Sequence, residues 1–197
     1  MMNPMSALPL LIAAVLANCP LKLAGQAGEE RSWVSAAVVG SMIEAKHGLV
    51  SEPVLGYQNG QHRPLLIVDM PSVPQTKVRA EVHTALAYFR MEEAARRFGI
   101  QLQLNSGFRT NDQQQEVFDL YRKGRGPLAA RPGFSNHQSG YALDIDTRPP
   151  RVRSWLGRHG YRYGFQRTVP SESWHWEFRG EIRKLLSQPD PLQPHNS

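Results

Sequence analysis

Cysteine is all but missing from this chain: Cys19 stands alone among 197 residues. An intrachain disulfide is therefore excluded, and so is a zinc cage built from thiolates. Any metal centre has to draw on histidine and carboxylate. Acidic residues are the next shortage, 17 against 23 lysines and arginines, for a formal charge of +6. That balance favours an anionic partner, with wall polymer and nucleic acid as the two candidates. The excess is concentrated from Arg148 to Lys184, where nine basic residues meet Glu172, Glu177 and Glu181. No zinc-finger or RNP pattern accompanies them, so nucleic acid is not the expected partner. Arginines scattered among aromatics read as a solvated basic face. Apolar runs of membrane-spanning length are lacking too. The run from Ala7 to Ala17 is too short to cross a bilayer as a helix.

That run has the size of the apolar part of a secretory signal, and Gly25-Gln26-Ala27 places small residues where cleavage would fall. No Lys or Arg precedes it. Residues 1–27 are expected to be a signal or an apolar N-terminal segment, with export to the periplasm or cell envelope. Leu16-Ala17-Asn18-Cys19 sketches a lipoprotein processing site. A single domain over 28–187 suits the length, and a monomer is expected. The Pro-rich polar tail from Gln188 is expected to be disordered.

Within the domain, Trp33 to Ile43 reads as a short helix. Leu65 to Val68 reads as a strand after Pro64. The Ala-, Glu- and Arg-rich stretch from Lys77 to Phe98 repeats apolar residues at helical spacing and stops at Gly99. Ile100, Leu102 and Leu104 alternate with glutamines as in a half-buried strand. Thr110 and Gln113 form a capping box that opens a helix to about Lys123, with Val117, Leu120 and Tyr121 on its inner face. Gly124 to Gly133 is a loop. Tyr141 to Asp146 reads as a strand that puts Asp144 and Asp146 on one side. A helix near Val152 to His159 and strands at Tyr161–Phe165 and Trp174–Phe178 complete the domain. Strands and helices without a regular alternation predict an α+β fold.

Three blocks carry chemistry: Ser135-Asn136-His137 through Asp144, Glu172-Ser173-Trp174-His175, and Ser106-Gly107-Phe108-Arg109 with Gln114 after it. Amide hydrolysis at a metal needs ligands with one open position, a carboxylate to move a proton and a donor facing the developing oxyanion. Two histidines, a strand aspartate, a spare glutamate and an arginine supply that inventory. Taken singly, each piece has an ordinary structural reading: a His–Asp pair as a hydrogen bond, the tryptophans as core, the arginine as a surface cation.

Together, S-x-H-x-x-G-x-A-x-D followed by E-x-W-H resembles the LAS family of zinc peptidases, which groups lysostaphin-type enzymes, D-Ala-D-Ala metallopeptidases and hedgehog. Within it the chain is most similar to the VanY-type D-alanyl-D-alanine carboxypeptidases, over Lys77 to Phe178. The resemblance implies a small antiparallel sheet flanked by helices, and Zn2+ held by His137, Asp144 and His175. It implies Glu172 as general base and acid, Arg109 as the oxyanion donor, and Ser135 and Gln114 as residues lining the cleft. The implied substrate is a peptidoglycan stem peptide, cut beside a D-amino acid. After His175 the chain runs Trp-Glu-Phe, where the carboxypeptidases more often run Phe-Arg-Tyr. Related L-Ala-D-Glu wall endopeptidases often carry an acidic residue there, so that bond is the alternative, as is a non-catalytic zinc-stabilised binding module. Glu177 lies two residues past His175 and competes with Glu172 for the base role, although Glu172 matches the family position.

Overall fold

The computed structural model describes residues 34–72 and 77–188, together with Asp190 and Leu192. The apolar run at 7–17, Cys19 and the 25–27 cleavage positions lie outside the described residues. No described helix is long and apolar enough to cross a membrane.

Helix α1 (Ala36–His47) starts at Ser35, whose hydroxyl accepts from the Val38 amide. Strands β1 (Ser51–Gln58) and β2 (Gln61–Pro71) form an antiparallel hairpin closed by Asn59-Gly60. Both turn residues have positive φ, 53° and 79°. Such two-residue turns match the twist of paired strands and favour Asn-Gly. Strand β3 (Lys77–Glu81) pairs with β2 to complete a three-stranded sheet. The sequence pattern extends the next helix back to Lys77, but the backbone is strand until Glu81. There the Glu81 carboxylate accepts from the His83 and Thr84 amides and starts α2 (Val82–Arg97).

A second sheet carries the chemistry. Its strands β4 (Leu104–Ser106), β5 (Ala142–Ile145), β6 (Phe165–Gln166) and β7 (His175–Phe178) lie in the order β4-β5-β7-β6 and pair antiparallel. β4 is confined to three residues, so Ile100 and Leu102 reach the core from irregular chain. Side chains alternate across a strand, and this alternation divides the sheet. Leu143, Ile145, Trp176 and Phe178 join α2 in the apolar core. Asp144 and His175, paired in register, occupy the other face with Glu177.

Helix α3 (Asn111–Arg122) has the full capping box between Thr110 and Gln113. Gln114 is its one buried residue, while Leu120 and Tyr121 are exposed, contrary to the inner face expected of them. Helix α4 (Pro150–His159) buries Val152, Trp155 and Leu156 as its spacing predicts. Tyr161–Phe165 forms a 3-10 turn over Gly160–Tyr163 before the short β6, because Gly164 turns the chain with φ 84°. Helix α5 (Ile182–Ser187) follows β7. Beyond it, Asp190 accepts from the Tyr163 hydroxyl at 2.7 Å and pairs with Arg97.

Candidate metal centre

The segment between β4 and α3 is strapped to its surroundings by main-chain bonds. The Phe108 amide donates to the Arg79 carbonyl, and the Arg109 amide donates to the His137 carbonyl at 3.1 Å. Gly107 makes this possible, because a Cβ there would sit 2.2 Å from the Arg79 oxygen. The Gly107 carbonyl lies 2.7 Å from His137 Nδ1. Nδ1 must therefore carry the proton, which leaves the Nε2 lone pair pointing inward.

His175 is oriented in the opposite sense. Its Nε2 lies 3.1 Å from Glu177 Oε1 and its Nδ1 lies 3.2 Å from Asp144 Oδ1. His137 Nε2 is 3.4 Å from the same Asp144 oxygen. One ligand atom from each of His137, Asp144 and His175 can be chosen so that all lie within 4.8 Å of one another, and all three residues are buried. Donors about 2.0–2.2 Å from zinc at tetrahedral angles stand roughly 3.3–3.5 Å apart. The two measured distances to Asp144 agree with that spacing, so the donor set fits such an ion. The chemistry agrees as well, since two inward ring nitrogens and a carboxylate oxygen converge on a point that calls for positive charge.

The electrostatics of the three ligands favour positive charge at this point. Burial pulls the His175 imidazole down, but hydrogen bonds and charge from Asp144 and Glu177 outweigh it and raise it to about 9. Burial pushes the Asp144 carboxyl up, yet the bonds from His137 and His175, with the Arg109 charge, hold it well below the usual carboxylate range. A metal displaces the proton from such a histidine on binding.

Around this centre lies a cleft of about 350 Å3, lined also by the 127–130 loop, Val117, Phe134, Val169 and Trp174. Glu172 borders it, half-buried. Its carboxylate has no hydrogen-bond partner among the described residues. Arg109 reaches Asp144 Oδ2 at 3.2 Å, Gln114 Oε1 at 3.3 Å and Ser106 Oγ at 3.4 Å. Ser135 borders the cleft while its hydroxyl accepts from the His137 amide at 3.3 Å. Gln114 also borders it, yet its amide is engaged at both ends, by Arg109 and by the Ala130 carbonyl at 2.8 Å. Its geometry ties Arg109 to the loop and leaves little for a ligand.

His137, Asp144, His175, Glu172, Arg109, Ser135 and Gln114, the residues given a role from the sequence, thus all border one cleft. The pattern missed the residues that hold them there. Gln138, fully buried, bonds the Gly133 amide at 2.7 Å and Asn111 at 3.3 Å. The β1–β2 hairpin supports the same loop through Tyr57, whose amide donates to the Gln138 carbonyl at 3.0 Å, and Gly60, whose amide donates to the Gly133 carbonyl at 2.8 Å. Glu177, weighed from the sequence as a rival to Glu172, also supports the site. Asn136 donates to its Oε1 at 2.8 Å and Arg179 Nε to its Oε2 at 2.8 Å, so the carboxylate is held behind the His175 ring.

Residues 75–181 match the VanY family, described as D-alanyl-D-alanine carboxypeptidase. The chain belongs to this family. A D-alanyl-D-alanine carboxypeptidase of Enterococcus faecalis is 32% identical over 117 residues, 45% of this chain and 44% of that protein. The chain spans about half the length of the curated relatives it matches. Among solved structures, the LdcB LD-carboxypeptidase, described with the molecular basis of its peptidoglycan recognition, is 26% identical with a TM-score of 0.52. The match covers 64% of this chain and 74% of that one. A mutant of the vancomycin-resistance D,D-pentapeptidase VanY from a VanB-type cassette, in complex with Zn(II), is 27% identical with a TM-score of 0.48. It covers 61% of this chain and 84% of that one. The small antiparallel sheets and helices of the α+β domain agree with membership of the VanY family.

Proposed function

We propose that this chain is a zinc-dependent carboxypeptidase that removes the terminal D-alanine from peptidoglycan stem peptides ending in D-Ala-D-Ala. The observation that carries the reading is the convergence of His137 Nε2 and His175 Nδ1 on Asp144 Oδ1, at 3.4 and 3.2 Å, in a buried group of three potential ligands. Family membership and the relatives' carboxypeptidase names support it.

His137, Asp144 and His175 hold the zinc. Bound there, zinc acidifies water and polarises a carbonyl. Glu172, bordering the cleft with its carboxylate uncommitted, takes the proton from the attacking water and passes it to the leaving amine. Arg109 directs its remaining N–H groups at the carbonyl oxygen as negative charge develops there. Gln114 and Ser106 keep the guanidinium in place, and Ser135 fixes the turn that carries His137. Glu177 takes no part in proton transfer to substrate, because its two oxygens face His175, Asn136 and Arg179. Stem peptides of the assembled wall lie outside the cytoplasm, and for that substrate the reading includes export of the chain.

The test is mass spectrometry of stem pentapeptides incubated with the zinc-loaded protein. Loss of one terminal D-Ala is the expected result, abolished by a chelator and restored by zinc. Cleavage within the stem would replace this reading with an endopeptidase. Intact peptides after zinc reloading would leave a binding module.

A further inference from the structure

A second cleft, of about 570 Å3, adjoins the metal cleft across Trp174. Asn105, Asp146, Thr147, Arg148, Arg153 and Ser173 line it. Trp174 borders both clefts and is 38% exposed, so a peptide lying over its ring reaches from one into the other. The Thr147 and Ser173 hydroxyls stand 2.9 Å apart within it.

Its charges are unequal. Asp146 is neutralised by Arg148, whose Nε and NH2 reach its two oxygens at 2.9 and 2.8 Å. Arg153 is exposed on α4, and its guanidinium has no ion pair or hydrogen bond among the described residues. The metal cleft is arranged the other way. Among its described lining residues Arg109 is the sole arginine or lysine, and Asp144 already engages it, while Glu172 adds negative charge. With Arg109 shared between Asp144 and the scissile carbonyl, a substrate carboxylate finds its unpaired cation in the second cleft, which Trp174 also borders.

We propose that this second cleft is a substrate subsite in which Arg153 receives a carboxylate of the bound peptide, either its free C-terminus or an acidic side chain near the scissile bond. The inference rests on the peptidase reading above and deepens it.

The test uses the full zinc-loaded chain and three peptides of one length. They are a parent with an acidic side chain and a free C-terminus, its side-chain amide, and its C-terminal amide. KM and calorimetric Kd are compared for the wild type and Arg153→Glu. One of the two amidations is expected to raise both constants for the wild type by roughly two- to fivefold, the worth of an exposed ion pair. The same amidation should bring no loss to Arg153→Glu, and its identity names the carboxylate. The proposal is overturned if neither amidation matters to the wild type, or if Arg153→Glu keeps the wild-type ratio. Absence of turnover with all three peptides would count against the carboxypeptidase reading alone, since the calorimetric ratios still report on the subsite.

Discussion

Glu177 Oε1 lies 3.1 Å from His175 Nε2, on the opposite side of the imidazole from Asp144, which faces Nδ1 at 3.2 Å. The carboxylate thus fixes the proton on Nε2 and presents the Nδ1 lone pair to the metal position. A carboxylate behind a ligating histidine also makes the ring a stronger donor, and removing such a partner typically reduces metal affinity roughly 10–100-fold. Glu177→Gln should therefore weaken zinc in a chelator competition by about that factor. Unchanged zinc affinity would show that the ring needs no such partner.

Glu172 makes the contrasting prediction. Its carboxylate borders the cleft but is no member of the ligand group. Glu172→Ala should bind zinc as the wild type does while turnover falls roughly 10²–10⁴-fold, the contribution expected of a general base. His137→Ala should lose the metal itself. If Glu172→Ala kept full turnover, the proton would have to travel by another group.

Much of the site was legible because motif and register coincide. The letters from Ser135 to Asp144 and Glu172 to His175 named two ligands, Asp144 and His175, that the β5–β7 pairing places side by side. The capping box at Thr110 was legible because both partners lie within one turn. Lys77 to Glu81 misled for a physical reason: its Ala, Glu and Arg content suits a helix, while its strand pairing with β2 is non-local. Glu81 also hides the boundary, since Glu is not among the side chains favoured at an N-cap. The β1 strand went unread although Asn59-Gly60 is a strong hairpin signal. Leu120 and Tyr121 were assigned inward from periodicity alone, which cannot tell a helix lying over a cleft rim from one packed on a core.

Gly107 gives a packing test of how the His137 anchor is built. A Cβ there would lie 2.2 Å from the Arg79 carbonyl oxygen and 2.8 Å from Val78 Cγ1. The oxygen belongs to β3 and cannot rotate away. Gly107→Ala should lower stability by about 1–3 kcal/mol, as overpacking does, and weaken zinc by displacing the carbonyl that orients His137. Gly157→Ala serves as the comparison, because nothing lies within 4 Å of its Cβ position. In a helix that change should stabilise by up to about 1 kcal/mol. Equal melting temperatures for the two variants would refute the argument.

Away from the metal, Glu81 and His83 predict a pH dependence of stability. His83 Nδ1 lies 2.7 Å from Glu81 Oε1, and its Nε2 lies 2.8 Å from the Val34 carbonyl oxygen. Burial lowers the imidazole, but the bond and charge of Glu81 and the Val34 carbonyl outweigh it, so the folded value is raised above the ordinary 6.5. A raised value means that the folded state holds the proton more tightly than the unfolded chain. The resulting stabilisation is complete below the unfolded value near 6.5 and is lost as pH rises through the folded one. The difference in melting temperature between wild type and His83→Gln should be largest in mildly acidic buffer and shrink on the alkaline side. Measuring both proteins with zinc chelated keeps the His175 site from contributing metal linkage, and a difference that grew with pH would reverse the assignment of the proton.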